Sequence, residues 1–382
     1  MTADKRPVQA THGDLIAYLE ERIPLALSEE WDNCGLQAGS RKTSLQGVLC
    51  ALEPSAAVLE EARQRGADFI FTHHPLFFKP LQRLDLDRFP GSLLRSALAA
   101  GVTIYSAHTN FDKVAGGVND ELARRLGLCD CRPLAPYSRR LYKLVTFVPP
   151  EDLGPLEEAL FAAGAGRLGR GRYRECAFRS PGRGSFFPES GSRPSKGEIG
   201  RRNLVEEIRF ETVCESPLVG RVVAALHRAH PYEVPAYDLI PLVVEDESQG
   251  LGRVGELKAE MTLDAFVELV REKLGASGLR LVGGGSRTRI RRVALCGGSG
   301  FSFYRQAAAA GADIYLTGDL KYHEAREVLD GSGIPLLDAG HFATERPAVE
   351  AAAGLCREFA TQAGLELPVF TAAGEEEPWR SL

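Results

Sequence analysis

The chain has 382 residues, of which 44% are hydrophobic and 25% charged, and its formal net charge is −5. This balance is that of a globular protein; it excludes a disordered or collagen-like chain, and the length predicts about two to three domains of ~100–200 residues. The net negative charge argues against a nucleic-acid coat or a protein that binds anionic membranes.

The first part of the chain alternates amphipathic and short apolar segments. It contains predicted helices at 12–27, 55–65, 91–100 and 115–126 and predicted strands at 47–52, 68–72 and 102–107. Asp14 is a candidate cap of the first helix. Such alternation implies parallel strands joined by right-handed crossovers, with helices on both faces of the sheet.

After Leu128 the pattern changes. The segment holds predicted strands at 141–148, 208–213 and 237–242 and predicted helices at 152–163 and 217–228. The order β-α-β, loop, β-α-β predicts a small split βαβ (ferredoxin-like) domain. Residues 166–203 contain ten Arg or Lys and three Glu, and are rich in Gly, Ser and Pro. This basic segment is either a solvated, mobile connection or a loop that contacts an anion.

From about Met261 the first pattern returns. The predicted helices are 262–274, a segment ending at 310, 320–329 and 345–362, and the predicted strands are 290–295, 313–317 and 335–339. Residues 66–72 (GADFIFT) align with 311–317 (GADIYLT), and the next strand of each copy ends in His-x3-Asp or His-x3-Glu. We interpret this as an internal duplication with a small domain inserted between the copies. Residues 1–130 and 256–382 are then the two halves of an α/β domain, and 131–255 the insert.

The cysteines and the N-terminus bear on the cellular compartment. Of eight cysteines only Cys129 and Cys131 are close together, and C-x-C is not the usual spacing of a structural zinc site. Cys50 and Cys296 lie in apolar runs, which is typical of reduced cysteines in a core. There is no secretory signal, and no apolar run approaches the ~18–20 residues that span a membrane. We therefore expect a cytoplasmic protein with no membrane or nucleic-acid partner.

Histidines and acids follow several of the predicted strands. His73 and His74 come directly after one strand, His108 and Asp112 after the next, and His341 and Glu345 after a strand of the second copy. Taken alone, the His-His pair before a proline and the His-x3-Asp spacing are each more typical of a turn than of a pair of metal ligands. Because open α/β sheets bind ligands at the carboxyl ends of their strands, the convergence of these pieces predicts a metal site. Imidazole and carboxylate suit Zn, Fe, Mn, Co or Ni, so the identity of the metal stays open.

The number of candidate ligands suggests two ions. His73, His74, Asp112, His341 and Glu345 exceed the three protein ligands of a catalytic zinc, and they suffice for two ions if one carboxylate bridges them. Two ions ~3.5–4 Å apart can share a hydroxide that is available as a nucleophile at neutral pH. Such a centre would be cationic and would favour an anionic substrate.

Five motifs then carry a resemblance to a known family: residues 31–36 (WDNCGL), 72–77 (THHPLF), 108–112 (HTNFD), 317–323 (TGDLKYH) and 340–345 (GHFATE). In this order they resemble the NIF-three-like family, whose members are also named GTP cyclohydrolase 1 type 2 homologues. Residues 230–238 (HPYEVPAYD) are similar to the PII-like insert of its long bacterial members. The resemblance covers nearly the whole chain.

The resemblance implies a fold and a site. The fold is a duplicated three-layer α/β/α NIF-three-like domain with an inserted ferredoxin-like (PII-like) α+β domain, and the assembly is a homohexamer, a trimer of dimers. Two divalent metal ions per chain would be held by His73, His74, Asp112, His341 and Glu345. His108 and His323 match positions near the site and are the candidate catalytic residues, although an exposed position on a helix explains His323 equally well. Trp31 and Asn33 either wall the pocket or, for Trp31, anchor the packing.

The sequence lacks the motifs of nucleotide-cofactor enzymes and of serine or cysteine hydrolases. The glycine-rich segments 283–286 and 297–300 contain neither a P-loop nor a full dinucleotide-binding signature, so we expect no organic cofactor. There is no Gly-x-Ser-x-Gly elbow, and nothing indicates a cysteine nucleophile.

Three functions remain open. The first is a metal-dependent hydrolase in which a metal-bridged hydroxide attacks a small anionic, nucleotide-like substrate, as in the opening of the purine ring of GTP. The second is a dinuclear phosphoesterase, and the third is a non-catalytic metal-binding scaffold or regulator. The lysines Lys79 and Lys321 and the arginines of 166–203 are candidates for phosphate contact.

Overall fold

The computed structural model describes residues 10–168, 172–285, 288–331 and 333–380. Its helices are α1 (His12–Arg22), α2 (Ala56–Arg65), α3 (Gly91–Ala99), α4 (Thr109–Lys113), α5 (Val118–Arg125), α6 (Leu153–Ala162), α7 (Val219–Ala229), α8 (Leu263–Leu274), α9 (Tyr304–Ala309), α10 (Tyr322–Asp330), α11 (His341–Glu345) and α12 (Pro347–Ala363). Within those ranges, no helix combines the length and the hydrophobicity that crossing a membrane requires.

The strands are β1 (Gly35–Ala38), β2 (Val48–Ala51), β3 (Phe69–Thr72), β4 (Thr103–Ser106), β5 (Leu128–Val148), β6 (Ala177–Phe186), β7 (Asn203–Glu215), β8 (Tyr237–Thr262), β9 (Arg280–Val282), β10 (Arg289–Leu295), β11 (Ile314–Thr317), β12 (Leu336–Asp338) and β13 (Val369–Thr371). By its internal contacts the chain divides into two units. The core unit comprises Met1–Tyr137 and Glu247–Leu382, and the inserted unit comprises Ser138–Asp246.

One sheet of the core unit has the order β1-β4-β3-β2-β13. Strands β13, β2, β3 and β4 are parallel, whereas β1 is antiparallel to β4 at the edge. Every residue of β2, β3 and β4 is buried, which explains why β2 and β3 are almost entirely apolar; the polar residues of β4 lie at its two ends. The predicted parallel alternation of strand and helix is confirmed here.

The other strands of the core unit repeat this arrangement. Strands β10, β11 and β12 are parallel in that order, β9 is an antiparallel edge strand on β12, and β8 runs antiparallel to β10 from Arg253 to Thr262. Strands β3 and β11, which carry the two aligned sequences, are both central and flanked by parallel neighbours. The topology therefore agrees with an internal duplication.

Three details of the core unit differ from the sequence-based expectation. Thr11, not Asp14, is the N-cap of α1, and Asp14 completes a capping box from the first turn. The predicted last helix, 345–362, corresponds to α12 and begins two residues later, with Pro347 in its first turn, whereas the short helix α11 that precedes it was not predicted. The short edge strands β1, β9 and β13 were not predicted.

The inserted unit contains helices α6 and α7, the strands β6 and β7, and parts of β5 and β8. Strand β7 pairs antiparallel with residues Leu141–Val148 of β5. It also pairs antiparallel with the whole of β6, through residues Asn203–Thr212. Leu144, Leu156, Phe210 and Leu226 belong to the buried cluster that joins these strands to both helices.

The basic segment 166–203 contains an element that the sequence analysis missed. Its residues 177–186 form β6, so the interpretation of the whole segment as an irregular connection is wrong. The sequence of β6, AFRSPGRGSF, combines a proline with two glycines, a composition typical of turns. Proline is tolerated in a strand at the edge of a sheet, and β6 occupies such an edge beside β7.

Candidate metal centre

The candidate ligands are placed by the carboxyl ends of the central strands. His73 and His74 directly follow β3, and Pro75 disfavours helical backbone at His74. The carbonyl of His74 accepts hydrogen bonds from the hydroxyls of Thr72 and Ser106, which ties the turn to the ends of β3 and β4. The two adjacent imidazoles are therefore held on a turn anchored to the sheet.

Two short helices supply the carboxylates. Asp112 lies on α4, a helix that begins directly after His108. Both His341 and Glu345 lie on α11. Residues four apart share one face of a helix, so the side chains of His341 and Glu345 meet, with His341 Nε2 2.8 Å from Glu345 Oε2. The five predicted ligands thus come from both halves of the duplicated unit.

The side chains form two groups of three that share Glu345. One group is His74, His341 and Glu345, and the other is His73, Asp112 and Glu345; within each group the ligand atoms lie within 4.8 Å of one another. Oε2 of Glu345 lies 2.9 Å from His74 Nε2, whereas Oε1 lies 3.7 Å from His73 Nε2. The two oxygens of one carboxylate therefore face different groups.

Buried polar atoms without a hydrogen-bond partner indicate a cation site. Nε2 of His73 and Oδ1 of Asp112 are buried and make no hydrogen bond with the described residues. Buried polar atoms without a partner carry a large desolvation cost, and they occur where an ion or water completes the site. The donor set of imidazole nitrogens and carboxylate oxygens fits a first-row divalent metal.

The ring orientation of each histidine is fixed through its Nδ1 atom. His73 Nδ1 lies 2.9 Å from the carbonyl of Ala107, His74 Nδ1 lies 2.6 Å from Glu53 Oε1, and His341 Nδ1 lies 2.7 Å from Asp319 Oδ2. Each contact leaves Nε2 as the nitrogen that faces the cluster. Contacts of this kind fix the tautomer of a metal-binding histidine and raise its basicity.

The pKa values reflect a cluster that is rich in negative charge. Burial opposes protonation of His74, but its hydrogen bonds with Glu345 and Glu53 raise its pKa to about 10. Burial also opposes protonation of His341, but its hydrogen bonds with Glu345 and Asp319 raise its pKa to about 9. Burial raises the pKa of Asp112. Burial also opposes ionisation of Glu345, but the surrounding histidines hold the pKa of Glu345 well below its usual value. The histidines therefore stabilise the carboxylate of Glu345, whereas burial disfavours the ionised form of Asp112.

A glycine makes room for the shared carboxylate. Gly298 has φ +63°, and a Cβ atom there would overlap with Oε1 of Glu345. Its backbone N–H donates to the Thr344 hydroxyl at 3.0 Å, which fixes the glycine against α11. The glycine-rich segment 297–300 therefore packs against Glu345.

His108 borders the cluster and has exposed aromatic neighbours. Its Nδ1 lies 2.9 Å from Asp32 Oδ1, and His108 forms a third close group with His73 and His74. The rings of Trp31 and Phe78 lie 6.1 and 5.6 Å from the His108 ring. Trp31 is 63% exposed, so its interpretation as a packing anchor is wrong.

The structure does not bring every candidate into this cluster. His323 is exposed on α10, with its ring beside Tyr322, and it belongs to none of the close groups among the described residues. Glu53 was missed by the sequence analysis, although it follows β2 in the same way that His74 follows β3. The rule that reactive side chains follow parallel strands could have found it.

The thiols lie apart from these groups. All eight cysteines are free, and Cys50 and Cys296 are buried as the apolar runs predicted. Burial raises the pKa of the Cys34 thiol to about 11, which disfavours a nucleophilic role.

Comparisons with known proteins cover nearly the whole chain. A family model described as Duf34/NIF3 (NGG1p interacting factor 3) matches residues 10–378. A protein of Halalkalibacterium halodurans named GTP cyclohydrolase 1 type 2 homolog is 41% identical over 336 residues, which are 87% of this chain and 89% of the relative.

Solved structures give the same result. A crystal structure of a Bacillus cereus protein related to NIF3 matches with a TM-score of 0.69 and 36% identity, over 97% of this chain and 99% of that one. A crystal structure of a Staphylococcus aureus protein matches with a TM-score of 0.80 and 28% identity, over the same shares of the two chains. The mixed α/β fold of the chain is therefore shared with solved structures.

Proposed function

The chain belongs to the Duf34/NIF3 family, and from this we propose that it is a metal-dependent hydrolase that holds two divalent cations and acts on a small anionic, nucleotide-like substrate. The observation that carries the proposal is the pair of three-residue groups that share Glu345. The unpartnered atoms of His73 and Asp112 support it independently.

The two groups divide the ligands. His74 and His341 would hold one cation with Oε2 of Glu345, and His73 and Asp112 would hold the other with Oε1. Divalent cations there would act as Lewis acids and lower the pKa of water, which makes a nucleophile available at neutral pH. The chain itself orients the nitrogen atoms that would bind the cations, because Glu53, Asp319 and the Ala107 carbonyl fix the three imidazoles.

Features near the cluster support a planar, anionic substrate. The charge of two dications would offset the acidic side chains of the cluster, and the cations themselves would favour the oxygen atoms of an anionic group. Trp31 and Phe78 are exposed beside His108, where their rings can contact a planar base. A cavity of about 810 Å³ that includes His341 is also lined by Lys321, which can meet a phosphate group.

The names of the relatives suggest the substrate. They are called GTP cyclohydrolase 1 type 2 homologs, and we extend this to the present chain as ring opening of a purine nucleotide such as GTP. Water would add to the imidazole carbon, and a carbon–nitrogen bond of the ring would break as its nitrogen takes a proton. His108 is placed to move this proton, because Asp32 holds its Nδ1 and leaves Nε2 free.

Elemental analysis tests the metal content. We expect about two ions per chain in the unmodified protein, from the two groups of ligands, and a clear loss in His74→Ala and Glu345→Gln. Glu350→Gln is the matched control, because Glu350 is exposed on α12 and belongs to neither group. Equal metal content in all variants would contradict the site.

Product analysis tests the reaction. The metal-loaded chain is incubated with GTP, and ring-opened nucleotide is measured together with released phosphate. Ring-opened product that is lost in Glu345→Gln supports the cyclohydrolase. Phosphate release without ring opening would point instead to a phosphoesterase. No turnover of nucleotides, pterins or phosphoesters with both metals bound would favour a scaffold or regulator.

The assembly is a separate part of the proposal. We propose a homohexamer arranged as a trimer of dimers, on the family resemblance alone. Sedimentation equilibrium of the full chain measures its mass directly. A monomer or dimer at micromolar concentration would contradict this part and would leave the metal site unaffected.

A further inference from the structure

The inserted unit contains a cavity that the metal centre does not use. Its volume is about 630 Å³, within the range of small-molecule sites, and all of the residues that line it belong to the inserted unit. It lies among β6, β7 and the segment 188–196, with one side formed by residues 232–236.

Part of the cavity wall is apolar. Phe147, Phe186, Pro188 and Pro194 line it, and Pro188 is buried whereas the other three are half-buried. Aromatic and proline rings present flat apolar faces. They therefore favour a ligand with a planar apolar body.

The motif at residues 230–236 builds another part of the wall. His230 Nδ1 accepts a hydrogen bond from the Tyr232 backbone at 3.1 Å, and His230 Nε2 lies 3.0 Å from the carbonyl of Phe147. Tyr232 donates its hydroxyl to Glu207 Oε1 at 2.7 Å. The histidine therefore fixes the backbone of this motif, and the tyrosine and glutamate present polar groups to the cavity.

A glycine on β6 accommodates this glutamate. A Cβ atom on Gly184 would overlap with Oε2 of Glu207, so the carboxylate lies directly against the strand. Because Oε1 is occupied by Tyr232, the other oxygen remains as an acceptor for an N–H or O–H of a ligand.

The basic side chains that line the cavity differ in their ion-pair partners. Arg209 pairs with Glu211, Lys196 pairs with Glu151, and Arg183 lies 3.9 Å from Glu206. Arg193 also lines the cavity, and its backbone N–H donates to Glu233 at 2.9 Å. No ion pair or hydrogen bond joins its guanidinium to a side chain in the described part of the protein. An unpaired guanidinium beside an apolar cavity favours an acidic ligand group.

We propose that this cavity binds a small organic anion, with its planar apolar body against Phe147 and Phe186 and its acidic group on Arg193. Glu207 adds selectivity for ligands that carry a hydrogen-bond donor. The site does not depend on the metal centre or on the proposed hydrolase activity. It gives the inserted unit a binding function of its own.

The test uses the full chain and the fluorescent anion anilinonaphthalene sulfonate. We expect saturable binding of one probe per chain, weakened about tenfold or more in Arg193→Glu and largely retained in Arg193→Lys. Arg174→Glu is the matched control, because it makes the same charge change on an exposed arginine of the inserted unit outside the cavity. Its affinity should equal that of the unmodified chain.

Displacement of the bound probe by other compounds identifies which chemical groups of a ligand the cavity recognises. Naphthoate should displace the probe, whereas the neutral naphthylmethanol should not, because only the acid can pair with Arg193. Displacement by AMP would identify nucleotides as the source of the anion, and displacement by naphthoate alone would identify aromatic acids; either result supports the site. Absence of saturable binding, equal loss in the Arg193 and Arg174 variants, or equal displacement by the neutral compound would overturn the proposal.

Discussion

Nδ1 of His74 lies 2.6 Å from Oε1 of Glu53, and Nε2 of the same ring lies 2.9 Å from Oε2 of Glu345. His341 repeats this relationship, with Asp319 at its Nδ1 and the same Glu345 oxygen at its Nε2. Each imidazole thus links a carboxylate on its outer side to the shared carboxylate at the centre. These contacts fix the orientation of both rings.

Glu53→Gln tests the outer contact of His74. The amide keeps the shape of the side chain but cannot stabilise the positive charge that a bound cation induces on the imidazole. We expect metal affinity to fall by about 10–100-fold while the fold is retained. Competition with a chelator measures this affinity.

The control for this variant is Glu60→Gln. Glu60 pairs with the exposed Arg63 on α2 and does not touch the cluster. Its metal affinity should equal that of the unmodified chain. Equal affinity of the Glu53 variant would show that the contact does not contribute.

Glu375→Gln tests a contact that supports Glu53. Both oxygens of Glu375 accept the backbone N–H of Leu52 at 2.8 and 2.9 Å, and Oε1 also accepts that of Glu53 at 2.8 Å. An amide presents a single acceptor oxygen, so one or more of these bonds is lost, at about 1–3 kcal/mol of unfolding free energy. We expect lower stability in urea and a several-fold loss of metal affinity in the same variant.

A second glutamate near the C-terminus separates the two effects. Glu377→Gln changes the same charge two residues away, at a side chain that does not bond to the turn carrying Glu53. It should leave both the metal affinity and the urea midpoint unchanged. A stability loss in Glu375→Gln without a change in metal affinity would contradict a positioning role.

Much of the core unit follows from local sequence pattern. The buried strands β2, β3, β4, β11 and β12 are short, mostly apolar segments, as expected where both faces of a parallel sheet are covered. The metal candidates followed because they directly succeed these strands. The short strands β9 and β13 carry no such pattern, since their residues are only partly buried and their pairing is set by distant segments.

Contacts between distant residues limited the prediction of the site. The position of Glu53 after β2 places it at the same sheet edge as His74, but the direct contact between these residues, 21 positions apart, is visible only in the fold. The place of Gly298 beside Glu345 likewise depends on the packing of two segments that are separate in the chain. The residue types in the cluster were readable from the sequence, but the partners that orient them required the fold.

Asp68→Asn tests an ion pair away from the metal centre. Asp68 Oδ2 lies 3.2 Å from His12 Nε2, and Oδ1 accepts the backbone N–H groups of Gln46 and Gly47. Burial opposes ionisation of Asp68, but these contacts outweigh it and lower the pKa of Asp68. Its contribution is therefore fully present above the unfolded-state pKa and is lost as the pH falls through the lower folded-state pKa.

Urea unfolding measures this contribution. At neutral pH we expect the Asn variant to be about 1–2 kcal/mol less stable than the unmodified chain. The difference should shrink as the pH falls below about 4, because protonation then removes the same charge from the unmodified chain. A difference that is constant from neutral to acidic pH would contradict the assignment.

Gly298→Ala tests whether the position of Glu345 depends on the space beside it. The φ of +63° at Gly298 is in the left-handed region, where a side chain costs about 1–2 kcal/mol, and the added methyl group would overlap with Oε1 of Glu345. Because that oxygen faces the group of His73 and Asp112, we expect the variant to lose metal more readily from this group than from the other. Metal stoichiometry should fall toward about one ion per chain.

The matched control is Gly354→Ala, which makes the same substitution where nothing lies within 4 Å of the added atom. Gly354 is in the interior of α12, and alanine there should stabilise the protein by up to about 1 kcal/mol without changing its metal content. The two variants thus have opposite effects on stability, and only one affects the centre. If Gly298→Ala kept two ions per chain, Glu345 would have to bind them from another position, and the assignment of its two oxygens to separate groups would be wrong.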